Sequence, residues 1–278
     1  MPGPLPVRPR VAREGLAPRA AILAAALLLA WPADAPAWDV VPAYRYGQVE
    51  LRDRATSARV PPVYFDHWRH RARFTCRLCH VDVGFAMAAG QTGISASTNR
   101  SGFHCGACHD GKTQVRGKVV FASCSESGRI DESPACRRCH APSDPPRLLQ
   151  DYQAFAEGLP RKGIAGGVDW EEAEATGKIR PLDFLEGTSI PRKPLKMEKE
   201  ITIESRGAWM ANVMFSHRKH AVWNGCEVCH PEIYPSTKSG SVKYSMFQIA
   251  SGESCGVCHD RVAFPLADCE RCHLAPVR

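Results

Sequence analysis

Twelve of the thirteen cysteines in this 278-residue chain fall in six copies of one pentapeptide, Cys-x-x-Cys-His. The copies are Cys76/Cys79/His80, Cys105/Cys108/His109, Cys136/Cys139/His140, Cys226/Cys229/His230, Cys255/Cys258/His259 and Cys269/Cys272/His273. Two thiols separated by two residues match the two vinyl groups of one haem, and the histidine that follows coordinates its iron. A disulfide scaffold or a zinc site uses cysteine pairs too, but neither requires histidine directly after the second cysteine. Six covalent haem c groups are therefore expected, with His80, His109, His140, His230, His259 and His273 as proximal ligands. Cys124 is left over. It reads as a free or intermolecular thiol, with pairing to Cys139 as a widely spaced haem site the alternative.

Eleven histidines less six proximal ones leave five for the opposite faces: His67, His70, His104, His217 and His220. At most five haems can then be bis-histidine, and the sixth takes methionine, another ligand, or stays open. His67 and His70 stand at i and i+3, six residues before a haem motif, and His217 and His220 repeat that placement. Methionine opposite histidine raises a haem potential relative to two histidines.

The elements that position these groups come in two copies. Phe65, His67, His70, Cys76, Cys79, His80, Cys105, Cys108, His109 and Asp110 recur at an offset of 150 as Phe215 through Asp260. The third motif recurs at an offset of only 133, so the first copy carries an insertion, split on either side of Phe121. Val63-Tyr64-Phe65 and Asn212-Val213-Met214-Phe215 read as extended segments before each histidine pair.

The order F-x-H-x-x-H, CxxCH, CGxCH-Asp, CxxCH resembles the triheme cytochrome c7 branch of the cytochrome c3 family, and most of all its tandem-module members. The resemblance covers both modules and is weak across the stretch between them. It implies a mostly irregular fold with small helices and short β-hairpins, in which two triheme modules wrap around six haems. It also implies that His67 and His217 serve the first haem of their modules and His70 and His220 the second, with Phe65 and Phe215 against haem faces. For the third haem the resemblance points to Met246 in the second module. Ala96 occupies that position in the first module, where His104 and Met87 compete.

The predicted organisation is a signal peptide over 1–37, a module over 38–142, a haem-free strap over 143–210 and a module over 211–278. The signal rests on Arg8, Arg10, Arg13 and Arg19, the apolar run Ala20 to Trp31, and Ala35-Pro36-Ala37 as a cleavage site. Twelve apolar residues fall short of the roughly 20 that span a bilayer, so export to the periplasm is expected, with outer-membrane association or secretion as alternatives. In the strap, the loop at Pro142 to Pro146 precedes helices expected over Leu148 to Leu159 and Asp169 to Gly177, with Asp169 as N-cap. Later prolines suggest an extended course. Trp170, Leu182, Phe184 and Leu185 need cover, which favours packing along the modules over a free linker.

The net charge of +7 drops to +5 without the signal's four arginines, Glu14 and Asp34. It forms no continuous basic stripe, which argues against nucleic acid. Each oxidised haem adds about −1, so six bring the total to roughly −1, and reduction to roughly −7. Arg69 to Arg73 are expected as a basic patch that steers acidic redox partners. The function implied is electron transfer between redox partners. The alternatives are a multihaem reductase with one open haem and a cytochrome subunit of a larger complex.

Overall fold

Short strands and short helices are what a chain with 22 glycines and 22 prolines can sustain. The computed structural model describes residues 3, 40–52, 61–124, 134–140, 145–193, 197, 199–207, 209–238 and 240–275. The signal segment over 1–37 lies outside the described residues apart from Gly3.

The first copy opens on an antiparallel hairpin of β1 (Gln48–Leu51) and β2 (Val63–Asp66), with Gln48 opposite Asp66 and Leu51 opposite Val63. Helix α1 (His67–Arg71) follows directly. A π-helical turn over Leu78–Asp82 carries the first motif. Helix α2 (Ala96–Arg100) is started by a capping box in which Ser95 Oγ accepts from Thr98 N. The turn His104–Ala107 carries the second motif. The insertion appears as a hairpin of β3 (Gln114–Val115) and β4 (Lys118–Val119), turned by Arg116 and Gly117 at positive φ. Helix α3 (Pro134–Arg137) carries the third motif.

Between the copies, α4 (Pro145–Ala156) begins earlier than expected, at Pro145 rather than Leu148. Pro145 and Pro146 are compatible with a first turn, where no intrahelical N–H is required. A small hairpin of β5 (Arg161–Lys162) and β6 (Gly167–Val168) leads to α5 (Trp170–Ala175). Asp169 caps α5 by accepting from Glu172 N, and Gly177 at φ 70° ends it, both as expected.

The second copy starts with β7 (Glu200–Ile203), inside the stretch assigned to the strap. It pairs with β8 (Asn212–Ser216) in the register of the first hairpin, Glu200 opposite Ser216. Helices α6 (His217–Asn224) and α7 (Met246–Ala250), the turn Ser254–Val257 and β9 (His273–Ala275) complete it.

The strap packs rather than swings free. Tyr152, Ala156, Val168, Ala173 and Ile179 bury together with Trp68 and Ala72 of the first copy and Trp223 of the second. Leu182 and Leu185 join Phe74 and Leu78. The backbone reinforces this contact, since Leu182 N donates to Arg73 O at 2.7 Å and Thr75 N to Leu182 O at 3.1 Å. Phe184 departs from expectation and stays 39% exposed.

The expected basic patch is a correction. Arg69 donates to Asp66 at 3.0 Å and to Asp151 at 2.8 Å, Arg73 donates to the Arg69 carbonyl, and Arg71 lies against the Trp170 and Trp223 rings. Carboxylates from 66 and 151 neutralise Arg69, and Arg71 lies against two indoles, so the run that the sequence alone presents as one cationic patch is broken up.

Candidate haem-binding sites

The third motif of each copy folds back onto the strand that precedes its histidine pair. His140 bridges Val63 and His273 pairs with Val213, the counterpart of Val63 in the repeat. Both copies therefore gather their histidines at one hairpin end.

Backbone carbonyls orient most of the imidazoles. Nδ1 of His67 lies 2.6 Å from Gly47 O, that of His217 3.2 Å from Lys199 O, and both carbonyls stand one residue before the hairpin's first strand. His80 meets Phe85 O at 2.9 Å and His230 meets Tyr234 O at 2.6 Å. His109 and His259 each reach a phenylalanine carbonyl, Phe121 and Phe264, at 3.3 Å. His140 meets Pro61 O at 3.0 Å and His273 meets Ala211 O at 2.6 Å, two carbonyls that also correspond in the repeat. His220 meets Ser216 O at 2.8 Å. When Nδ1–H donates to a carbonyl, Nε2 keeps its lone pair, the form in which an imidazole binds metal. The hairpin inserted between Asp110 and Phe121 loops out without moving this contact: the Phe121 ring lies 4.4 Å from His109, as Phe264 lies 4.3 Å from His259.

Electrostatics favour the same form. Burial pushes His67, His70 and His259 down to about 4, and lowers His80, His109 and His220. These rings are neutral at pH 7. Burial also raises the thiols, Cys79 and Cys258 to about 12 and Cys105 and Cys272 to about 11. Neutral buried thiols are neither reactive nucleophiles nor a preformed thiolate cage for zinc. None of the thirteen cysteines is in a disulfide. Among the described residues, no three His, Cys, Asp or Glu side chains converge to hold a metal ion.

The fit of haem can be tested on ring spacing. A metal–imidazole bond of about 2.0 Å and about 1.1 Å from nitrogen to ring centre, on both sides, puts axial ring centroids roughly 6.2 Å apart. His67 and His80 are 6.5 Å apart and parallel within 3°. His70 and His109 are 6.3 Å apart, as are His220 and His259. These three pairs fit one iron each. No such contact joins His217 and His230 among the described residues. The chain also bounds a cleft of about 4940 Å³, partly open to solvent, that reaches cysteines of both copies, among them Cys79, Cys108, Cys139 and Cys258. Shared among six, this is about 820 Å³ each, within the roughly 300–1,000 Å³ of a small-molecule site.

Phe65 lies 4.8 Å from His67 and 4.5 Å from His70, and Phe215 repeats this at 4.8 Å and 4.4 Å from His217 and His220. His70 Nδ1 and His104 Nδ1 are buried without a hydrogen-bond partner. The Asp66 carbonyl, counterpart of Ser216, still acts on His70. His104 holds φ at 50°, but so does its counterpart Ser254 at 52°, so the turn imposes that conformation. The His104 ring stands 5.7 Å from Phe85. Met87 is half-buried, and Met246, the first residue of α7, is 53% exposed. Both line the cleft with His104. Cys124 receives Asn99 Nδ2 at 3.9 Å and lies near enough to Cys105 and Cys139 to help keep their thiols protonated, which places it beside the second and third motifs.

The motif spacing does not reveal an ion-pair network that ties motif to strap. Arg77, inside the first motif, is 2% exposed and pairs with Asp82 at 2.9 Å and Asp183 at 2.9 Å. Arg192 of the strap joins Asp82 at 3.1 Å to Glu227, inside the fourth motif. The only signal in the sequence was a charged residue in the variable positions of both motifs.

The model for cytochrome c7 and related cytochromes c matches residues 63–141 and 213–274. Among solved structures, a c7-type three-heme cytochrome domain is 32% identical, over 27% of this chain and 91% of its own, with a TM-score of 0.25. The C-terminal hexaheme fragment of GSU1996 is 24% identical, over 82% of this chain and 96% of its own, at 0.24. The dodecaheme cytochrome c GSU1996 is 21% identical, over 81% and 73%, at 0.25. Among curated proteins, none matches the chain.

Proposed function

This chain belongs to the family of cytochrome c7 and related cytochromes c, and on that premise we propose that it is an exported carrier passing electrons along six covalently held haems between redox proteins. The observation that carries this reading is the set of three imidazole pairs at 6.3–6.5 Å, the separation one doubly ligated iron demands. Double ligation leaves no coordination position for a substrate. Bound haem c supplies a one-electron iron couple.

The chain's own residues do the rest. The twelve motif cysteines anchor the groups as thioethers. His80, His109, His140, His230, His259 and His273 ligate from one side, and His67, His70, His217 and His220 from the other. Met246 and either His104 or Met87 complete the third site of each module. Backbone carbonyls hold the tautomer of nine of the eleven rings, and the hairpin ends bring the three motifs of a module together. The stretch 38–278 gives about 40 positions per haem, which forces the groups close enough for rapid transfer. The modules span 38–142 and 211–278, with β7 adding a strand from the strap to the second. The signal over 1–37 supports a periplasmic location, and no helix among the described residues is long and apolar enough to cross a membrane.

A reductase reading draws on the same third sites, where His104 Nδ1 lacks a partner and Met246 is exposed. Low-temperature magnetic circular dichroism of the oxidised protein separates the two. The carrier gives five bis-histidine haems and one histidine/methionine haem if His104 ligates, or four and two if Met87 does. A high-spin haem that binds carbon monoxide after reduction would overturn the carrier in favour of the reductase.

A further inference from the structure

The internal repeat breaks where the two modules meet. Arg71 of α1 corresponds to Ala221 of α6, and Trp223 corresponds to Arg73. The departures are in contact: the Arg71 guanidinium lies 4.6 Å from the Trp223 ring centroid and 4.9 Å from that of Trp170. An indole of the second module and an indole of the strap thus lie against the guanidinium. Nη1 donates to the Val262 carbonyl at 2.8 Å, just beyond His259 in the chain. Nε is buried with no acceptor.

No carboxylate among the described residues forms an ion pair with Arg71. Glu174 feels its charge but hydrogen-bonds Trp223. Asp169 and Asp268 face Arg271, the other cation of the region, at 4.0 Å and 3.9 Å. Cys76 of the first module packs against the cluster that includes Trp170 and Trp223, and Val262, whose carbonyl accepts from Arg71, donates its own N–H to the Cys258 carbonyl of the second module at 2.9 Å. A guanidinium stays ionised in a protein, and a buried ion needs a counter-ion.

We infer that Arg71 is a carboxylate-binding residue at the module boundary, pairing with a propionate of a haem anchored at Cys76 or Cys258, and that its charge raises the potential of the haems on both sides. This rests on the haem reading above. It places the step from one module to the other beside Arg71, where cation and covered rings exclude water and favour the reduced state. Arg71 is a positioning and tuning residue, and nothing in it transfers the electron.

The test uses the exported holoprotein. Haem per chain is counted first in the unaltered protein, so that a count other than six exposes a failure of the haem reading itself. Spectroelectrochemical titration then compares Arg71→Gln and Arg71→Lys. In Arg71→Gln at least one couple is expected to shift tenfold or more toward the oxidised form, about 59 mV for one electron, while Arg71→Lys keeps every couple within threefold. All couples within threefold in Arg71→Gln, or equal shifts in both variants, would mean a packing role and overturn the inference. If Arg71→Gln does not assemble six haems, Arg71→Met is measured under the same criteria: a fall of tenfold or more in at least one couple supports the inference, and couples all within threefold overturn it.

Discussion

Asp82→Ala is expected to lower the folding free energy by about 3 kcal/mol, the lower end of what removing one partner from a buried ion pair costs. Asp82 is 8% exposed and receives both Arg77, through Nη1 at 3.0 Å and 2.9 Å, and Arg192. Its loss leaves a buried guanidinium short of one carboxylate. Asp183 keeps a second hold on Arg77, through Nε at 3.0 Å, which sets the effect at the lower end. Asp183→Ala removes a side chain that is 48% exposed, so solvent screening limits its effect to about 1 kcal/mol. Denaturant unfolding of proteins with equal haem content reads both numbers. Similar values for the two variants would show that the Arg77–Asp82 pair does not fasten the first motif as described.

The second large effect falls on the glycine of the second motif in each module. A Cβ built on Gly106 overlaps the Asn99 carbonyl oxygen and carbon, and one on Gly256 overlaps those of Ile249. These are backbone atoms at the ends of α2 and α7, and both helices are fixed by N-caps from Ser95 and Ser245. Neither neighbour can rotate away as a side chain would. Gly106→Ala or Gly256→Ala must therefore displace a helix and the turn that presents two cysteines, an effect above about 4 kcal/mol. The expected outcome is loss of one haem per altered module, from six to five, read by haem absorbance per chain. Val257→Ala, beside one of these glycines but half-buried, is the control and retains six. Full haem content in both glycine variants would mean that the approach of helix to motif is not required.

Much of this arrangement was legible in the residue order. The motifs name the anchors, and the repeat places β2 and β8, whose histidine pairs then occupy matched positions. Asp169 and Gly177 mark the bounds of α5 because local hydrogen bonding decides caps and stops. What was not legible depends on partners remote in sequence. Arg69 looked free because its partner Asp151 lies in the strap, far beyond the reach of a local reading. Phe184 was expected to be covered with Leu182 and Leu185, yet the irregular course of the strap here turns Phe184 outward while both leucines pack inward. The strand β7 lay in a stretch without cysteine or histidine, and only its pairing with β8 shows that it belongs to the second hairpin. Carbonyls such as Gly47, Pro61 and Ala211, which orient the imidazoles, carry no side-chain signature at all.

The central claim is that every Cys-x-x-Cys-His motif anchors one haem through thioether bonds. Haem that stays with the exported polypeptide through acid–acetone extraction, counted per chain by its pyridine haemochrome absorbance, tests that claim directly. The account predicts six. Haem that extracts into the solvent, or fewer than six retained per chain in the unaltered protein, would contradict it.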